Sequence, residues 1–283
     1  MRRLKIAHRT AYYFNQAVTL GPHHLLVRPR EGHEVHIESS RLDITPSASI
    51  RWQRDVDDNS VATASFETPT EELIITSEVI CQHYDSEPLD FIVADSAVMY
   101  PFTYSDDDAA VLVPYRICSE PLDGGELGNW VAGFWRSGQT LQTYSLLDNI
   151  CSFISQAMRY KKRETPGVQT AVQTLAMGEG SCRDFANLFI EATRLLGIAS
   201  RFVSGYLYNP PTDTDYGATH AWAEVYLPGV GWKGFDPTVG KVTGNDHLTV
   251  AVSRRPDNVP PVSGSYFGNA ESRLEVAVQV SDL

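Results

Sequence analysis

Up to about Asp85, polar and apolar positions alternate in short runs rich in β-branched and aromatic residues, the period-two pattern of half-buried strands. The clearest runs are Lys5 to Phe14, Val35 to Ile44 and Leu73 to Tyr84. Turn formers separate them at Gly21-Pro22, Arg30-Glu31-Gly32, Thr45-Pro46, Asp57-Asp58-Asn59 and Thr68-Pro69. Breaks at that spacing, with no helical period between them, predict an all-β sandwich.

The pattern changes after a stretch rich in glycine and turn formers, Ser119 to Gly138, the best candidate for a linker. Beyond it Leu141, Tyr144, Leu147, Ile150, Cys151, Ile154 and Met158 recur every three or four residues, one apolar face of a helix. A second, shorter helix is expected from Pro166 to just before Gly178, because proline suits a first turn and glycine the residue past the last. A third should begin at Cys182: Ser181 can cap it, Asp184 can complete a capping box, and Phe185, Leu188, Phe189, Ala192, Leu195 and Leu196 form its buried stripe before Gly197 stops it. Two or three strands follow, over Ser200 to Tyr208, Thr219 to Leu227 and Trp232 to Pro237, the last two joined by Pro228-Gly229-Val230-Gly231. The predicted class is α+β. A β-sandwich domain spans 1–120 and a second domain, holding the helices and the remaining strands, spans 121–283.

Composition narrows the partners. With 42% apolar and 20% charged residues among 283, the chain is globular rather than disordered. A net charge of −12 removes the basic footprint of a protein that grips nucleic acid or anionic lipid, and no segment resembles a signal peptide or a membrane span. The expectation is therefore a cytoplasmic protein with no nucleic-acid or membrane partner. Cys81, Cys118, Cys151 and Cys182 lack C-x-x-C spacing and are expected to be reduced. An acidic triplet, Asp106-Asp107-Asp108, lacks the spaced oxygens of a calcium loop and reads as a solvated acidic loop.

One cysteine stands apart. At the start of its helix, Cys182 would meet unpaired backbone N–H groups and the positive end of the helix dipole, which favour a thiolate and can also hold an oxyanion. The plainer reading of a free cysteine is a small buried hydrophobe. His220 lies in the strand THAWAEVYL, where alternation puts it with Trp222, Glu224 and Tyr226 on one face and Ala221, Ala223, Val225 and Leu227 on the other. Asp236, on the return strand, falls opposite His220 if the turn centres on Pro228, or diagonal to it if the turn centres on Pro-Gly-Val-Gly. Thiol, imidazole and carboxylate together fit a nucleophile, its base and the group that orients the base. A zinc site is disfavoured, since intervals of 38 and 16 residues are unlike the close ligand pairs of structural zinc. Six of the other seven histidines, His8, His23, His24, His33, His36 and His83, fall in the β-rich half and read as structural or surface groups.

GEGSCRDFA (178–186), LLGIASRFVSGYL (195–207), THAWAEVYLPGVGW (219–232) and FDPT (235–238) resemble the bacterial transglutaminase-like superfamily, whose members are often described as candidate cysteine proteases. LGPHHLLVRPREGHEV (20–35) and the strands after it resemble the β-rich region that precedes this core in bacteria. The resemblance implies a papain-like core in which a cysteine-bearing helix packs on an antiparallel sheet, with Cys182 as nucleophile, His220 as base and Asp236 as orienting acid. It implies a peptide or protein substrate, hydrolysed at a peptide or side-chain amide without metal or other cofactor. Amine transfer of the transglutaminase type is the alternative, as is a non-catalytic binding module docking through Trp130, Phe134 and Trp135. Arg183 stands where animal transglutaminases carry a tryptophan, and Tyr160 is a candidate oxyanion donor with an equally good reading as a packed aromatic. The C-terminal run Arg273 to Val280 alternates like a strand that can return to either sheet.

Overall fold

Alternate burial opens the first strand, β1 (Arg2–Leu20), in which Leu4, Ile6, His8 and Thr10 point inward in turn. The computed structural model describes residues 1–84, 87–119, 125–163, 165, 167–208 and 219–283. After β1 come β2 (His23–Leu25), β3 (Val35–Thr45), β4 (Ser49–Arg54), β5 (Ser60–Ser65) and β6 (Thr70–His83). Strand β6 lies between β1 and β3, both antiparallel to it, while β2, β5 and β4 build a second sheet. Phe14, Val18, Leu25, Val27, Ala62, Ala64, Leu73 and Ile75 fill the space between the two sheets. This is the sandwich that the turn spacing predicts.

The connecting region is more ordered than a linker. Ser105 accepts a hydrogen bond from Asp108 N and starts helix α1 (Asp106–Leu112), so the acidic triplet forms a first turn, where carboxylates suit the dipole, rather than a solvated loop. Residues 120–124, where the expected domain boundary falls, lie outside the described residues. Helix α2 (Glu126–Val131) follows, with Leu127 and Val131 buried. Trp130 and Phe134 pack edge to face at 4.8 Å, Phe134 meets Phe153 at 5.3 Å, and Trp135 meets Tyr100 at 5.1 Å. These aromatics are half-buried against the core, packed on one another and on Phe153 and Tyr100.

Helices α3 (Thr143–Ala157), α4 (Ala171–Met177) and α5 (Cys182–Leu195) correspond to the three that the periodicity predicts. Helix α4 starts later than expected, at Ala171 behind a Thr170–Gln173 capping box, and Pro166 lies outside the described residues. Two-residue bridges join the walls: β7 (Met99–Tyr100) to β8 (Leu141–Gln142), and β9 (Arg159–Tyr160) to β10 (Glu179–Gly180). Then come β11 (Ser200–Leu207), β12 (Thr219–Leu227), β13 (Gly231–Asp236), β14 (Lys241–Val242) and β15 (His247–Ser253), paired in the order β14-β13-β12-β11-β15. Ala221, Ala223, Val225 and Leu227 of β12 turn toward α5 and are buried, as their alternation predicts.

The chain then goes back to the sandwich. Strands β16 (Val262–Ser263), β17 (Tyr266–Phe267) and β18 (Ser272–Asp282) pair with β2 and β1, so the C-terminal strand takes the N-terminal sheet of its two options. Pairing from Leu4–Asp282 to Phe14–Ser272 covers an edge of β1 that would otherwise be open. A single apolar cluster runs from Leu4, Ile6 and Val79 through α3 and α5 to Phe202 and Val225, so the two halves share a core. Among the described residues, no helix is long and apolar enough to cross a membrane.

Candidate active site

Helix α5 places the cysteine. Asp184, fully buried, accepts from Ser181 N and from Ser181 Oγ at 2.8 Å each, which fixes the chain at the helix entry. The same carboxylate accepts from Gln169 N at 2.7 Å and Arg163 Nη1 at 2.5 Å. Burial works against its charge, yet these bonds hold its pKa below the usual carboxylate value. Cys182 is thereby set at the first position of α5, 8% exposed, where backbone N–H groups have no partner within the helix.

The sheet places the other two groups. Tyr226 pairs with Trp232 and Ala223 with Phe235, so the turn centres on Pro-Gly-Val-Gly and Asp236 is the diagonal neighbour of His220. Diagonal placement is close enough: His220 Nε2 lies 2.6 Å from Asp236 Oδ2. Cys182 lies close enough to the same ring to act on its charge. The fold thus brings all three residues singled out in the sequence into one chain of contacts. Burial opposes a charge on His220, but the bonds to Asp236 and Cys182, with their negative fields, raise its pKa to about 10. Asp236 is fully buried and, despite that, is held well below the ordinary carboxylate range by His220 and a second histidine.

That second histidine, His247, is the residue sequence reasoning missed. Its Nε2 lies 3.0 Å from the same Asp236 Oδ2, while Asp236 Oδ1 accepts from Thr238 N at 2.8 Å. Trp222 packs edge to face against His247 at 5.2 Å and lies tilted beside His220 at 6.1 Å, walling both rings. The indole needs Gly205 beneath it: a Cβ there would stand 2.5 Å from Trp222 Cη2 and 2.3 Å from the Leu248 carbonyl. The other thiols are differently placed. Burial pushes Cys81 up to about 11, and burial with the field of Asp236 pushes Cys151 higher still. His8 is likewise buried, bonded to Tyr206 Oη at 2.8 Å, with its pKa lowered to about 4 by desolvation.

His220 Nε2, His247 Nε2 and Asp236 Oδ2 lie within 4.8 Å of one another, a donor set that a divalent cation can use. The spacing argues for hydrogen bonds instead. Two ligands each about 2.0–2.1 Å from a tetrahedral ion stand roughly 3.3 Å apart, farther than the 2.6 Å between His220 and Asp236. Tyr160 sits near the helix start, its ring 6.4 Å from that of Phe185.

Residues 135–237 match the transglutaminase-like superfamily, and residues 4–82 match the bacterial transglutaminase-like N-terminal region. An uncharacterised protein of Mycobacterium tuberculosis is 28% identical over 98% of this chain and 92% of its own length. One from Mycobacterium leprae is 24% identical over the full length of both. Among solved structures, a putative cysteine protease from Cytophaga hutchinsonii aligns over all of this chain and 91% of its own, with a TM-score of 0.76 at 22% identity, a likeness of fold.

Proposed function

For a chain that joins a transglutaminase-like core to a bacterial transglutaminase-like N-terminal region, we propose thiol-dependent acyl transfer, ending in hydrolysis of a peptide or side-chain amide. One observation carries it: His220 is held at 2.6 Å by a buried carboxylate and lies beside a thiol at a helix N-terminus. In this reading the Cys182 thiolate attacks the amide carbonyl carbon while backbone N–H groups at the start of α5 hold the oxyanion. His220, as imidazolium, gives its Nδ1 proton to the leaving amine when the C–N bond breaks. The thioester left on Cys182 is then opened by water whose proton returns to His220. Asp236 keeps Nε2 protonated and the ring in line.

An open cleft of about 620 Å³, with Lys161, Arg163, Gln169 and Gly180 in its lining and neither Cys182 nor His220, adjoins the entry to α5, and we assign it to the part of the acyl donor remote from the reacting carbonyl. Amine transfer shares every step up to the thioester. Hydrolysis is the ending we assign.

An activated ester of a blocked glutamine peptide, offered with a fluorescent primary amine, separates the two endings. The expected result is a burst of leaving group equal to the enzyme, then release of free acid faster than amine incorporation at millimolar amine. Incorporation outpacing hydrolysis would reverse the assignment, and absence of any Cys182-dependent burst would remove the acyl-enzyme itself.

A further inference from the structure

Strand β15 is an edge of the catalytic sheet, paired on one side with β11. Its other side is held by the sandwich. Arg30 N donates to Thr249 O at 2.8 Å, and the fully buried Asn59 both donates to Val252 O and accepts from Val252 N at 2.8 Å each. At the head of the strand His83 Nε2 lies 3.1 Å from His247 O, and Arg2 pairs with Asp246 at 2.6 Å. The backbone of His247 is therefore fixed from the N-terminal half of the chain, while its ring reaches into the site.

Which ring nitrogen donates follows from its neighbours. Gly244 N donates to His247 Nδ1 across a long 3.4 Å bond, so Nδ1 is the unprotonated nitrogen and Nε2 carries the hydrogen. Nε2 of His247 thus donates to Asp236 Oδ2, the oxygen that also accepts from His220. With Thr238 N on Oδ1, the carboxylate is gripped by three donors from three different segments and has no freedom to turn.

We propose that His247 is a positioning residue of the acyl-transfer site: it aims the Asp236 carboxylate at His220, and the sandwich keeps it in place by clamping β15. The inference rests on the reading of Cys182, His220 and Asp236 as the reacting chain. It also gives the N-terminal half a part in catalysis without a reacting group of its own.

The test uses the full chain with His247→Ala and His247→Gln, since a glutamine amide can present an N–H near the place of Nε2. Alkylation of Cys182 by iodoacetamide at neutral pH, followed by mass spectrometry, needs no substrate; burst kinetics with the activated ester give kcat and KM. The expected result is a roughly 10-fold fall in kcat and in Cys182 alkylation for alanine, with KM little changed, and recovery to within about 3-fold of wild type for glutamine. Thermal melting run alongside separates positioning from folding. Loss that follows melting temperature in both variants, with glutamine no better than alanine, would overturn the proposal, as would an alanine variant indistinguishable from wild type. Failure of the functional reading looks different: His247→Ala would still slow alkylation while no variant or wild type showed a burst.

Discussion

Replacing Asp236 by asparagine is expected to lower kcat by roughly 10³–10⁴-fold while the protein stays folded, the size of loss seen when a triad carboxylate is neutralised. The substitution keeps the shape of the side chain and removes its charge. Asp236 is fully buried, so no water can replace what it gives to His220 across 2.6 Å. Its negative field also helps raise the His220 pKa to about 10, and without it burial alone would act to lower that value. The imidazolium that should protonate the leaving amine then becomes costly, and an amide can bind the ring in the wrong tautomer. Single-turnover kinetics with the activated ester, beside circular dichroism, measure this. A loss under 10-fold would mean that the carboxylate only supports structure.

The second large effect is on stability. Arg194 and Glu191 of α5 are each about 4% exposed in their side chains and pair at 2.8 Å. Arg194 also donates to the carbonyls of Tyr115, Ser200 and Arg254, and Glu191 accepts from Ser119 N at 2.5 Å, so the pair ties the connecting region and the end of β15 to the nucleophile helix. Burial lowers the Arg194 pKa, against the pull of Glu191, which marks how much the site depends on the pairing. Arg194→Met leaves a buried carboxylate uncompensated and three carbonyls without their donor, at a cost of about 3–5 kcal/mol. In a chain of this size that is a fall in melting temperature of about 10 °C. Adding Glu191→Leu should recover much of it, because an apolar pair replaces a charged one more cheaply than a lone charge survives. Scanning calorimetry of the single and double variants decides; a double variant less stable than Arg194→Met would rule out that compensation.

What the sequence shows and what it hides divide along locality. The entry to α5 is legible because Ser181, Asp184 and the apolar stripe from Phe185 lie within a few turns of one another, and the same holds for the alternation of β12. The partnership of His220 with Asp236 is legible only up to two registers, since a one-residue change in the turn moves the carboxylate sideways and the structure chooses the diagonal. His247 is not legible at all by this route. Its strand pairs with β11 rather than with β12 or β13, so its approach to Asp236 depends on sheet order. Helix α1 is hidden for a different reason, because seven residues cannot display a helical period and three aspartates in a row look like solvent-facing loop.

If His220 activates Cys182, competitive alkylation reads that activation out. Wild type and His220→Ala are exposed to limiting iodoacetamide near pH 7, and the four cysteines are quantified by peptide mapping. Cys182 is expected to be modified well ahead of Cys81, Cys118 and Cys151 in the wild type, although it is nearly as covered as the buried thiols, and His220→Ala to slow it at least 10-fold while the others keep their rates. Equal labelling of Cys182 in the two proteins would contradict that activation.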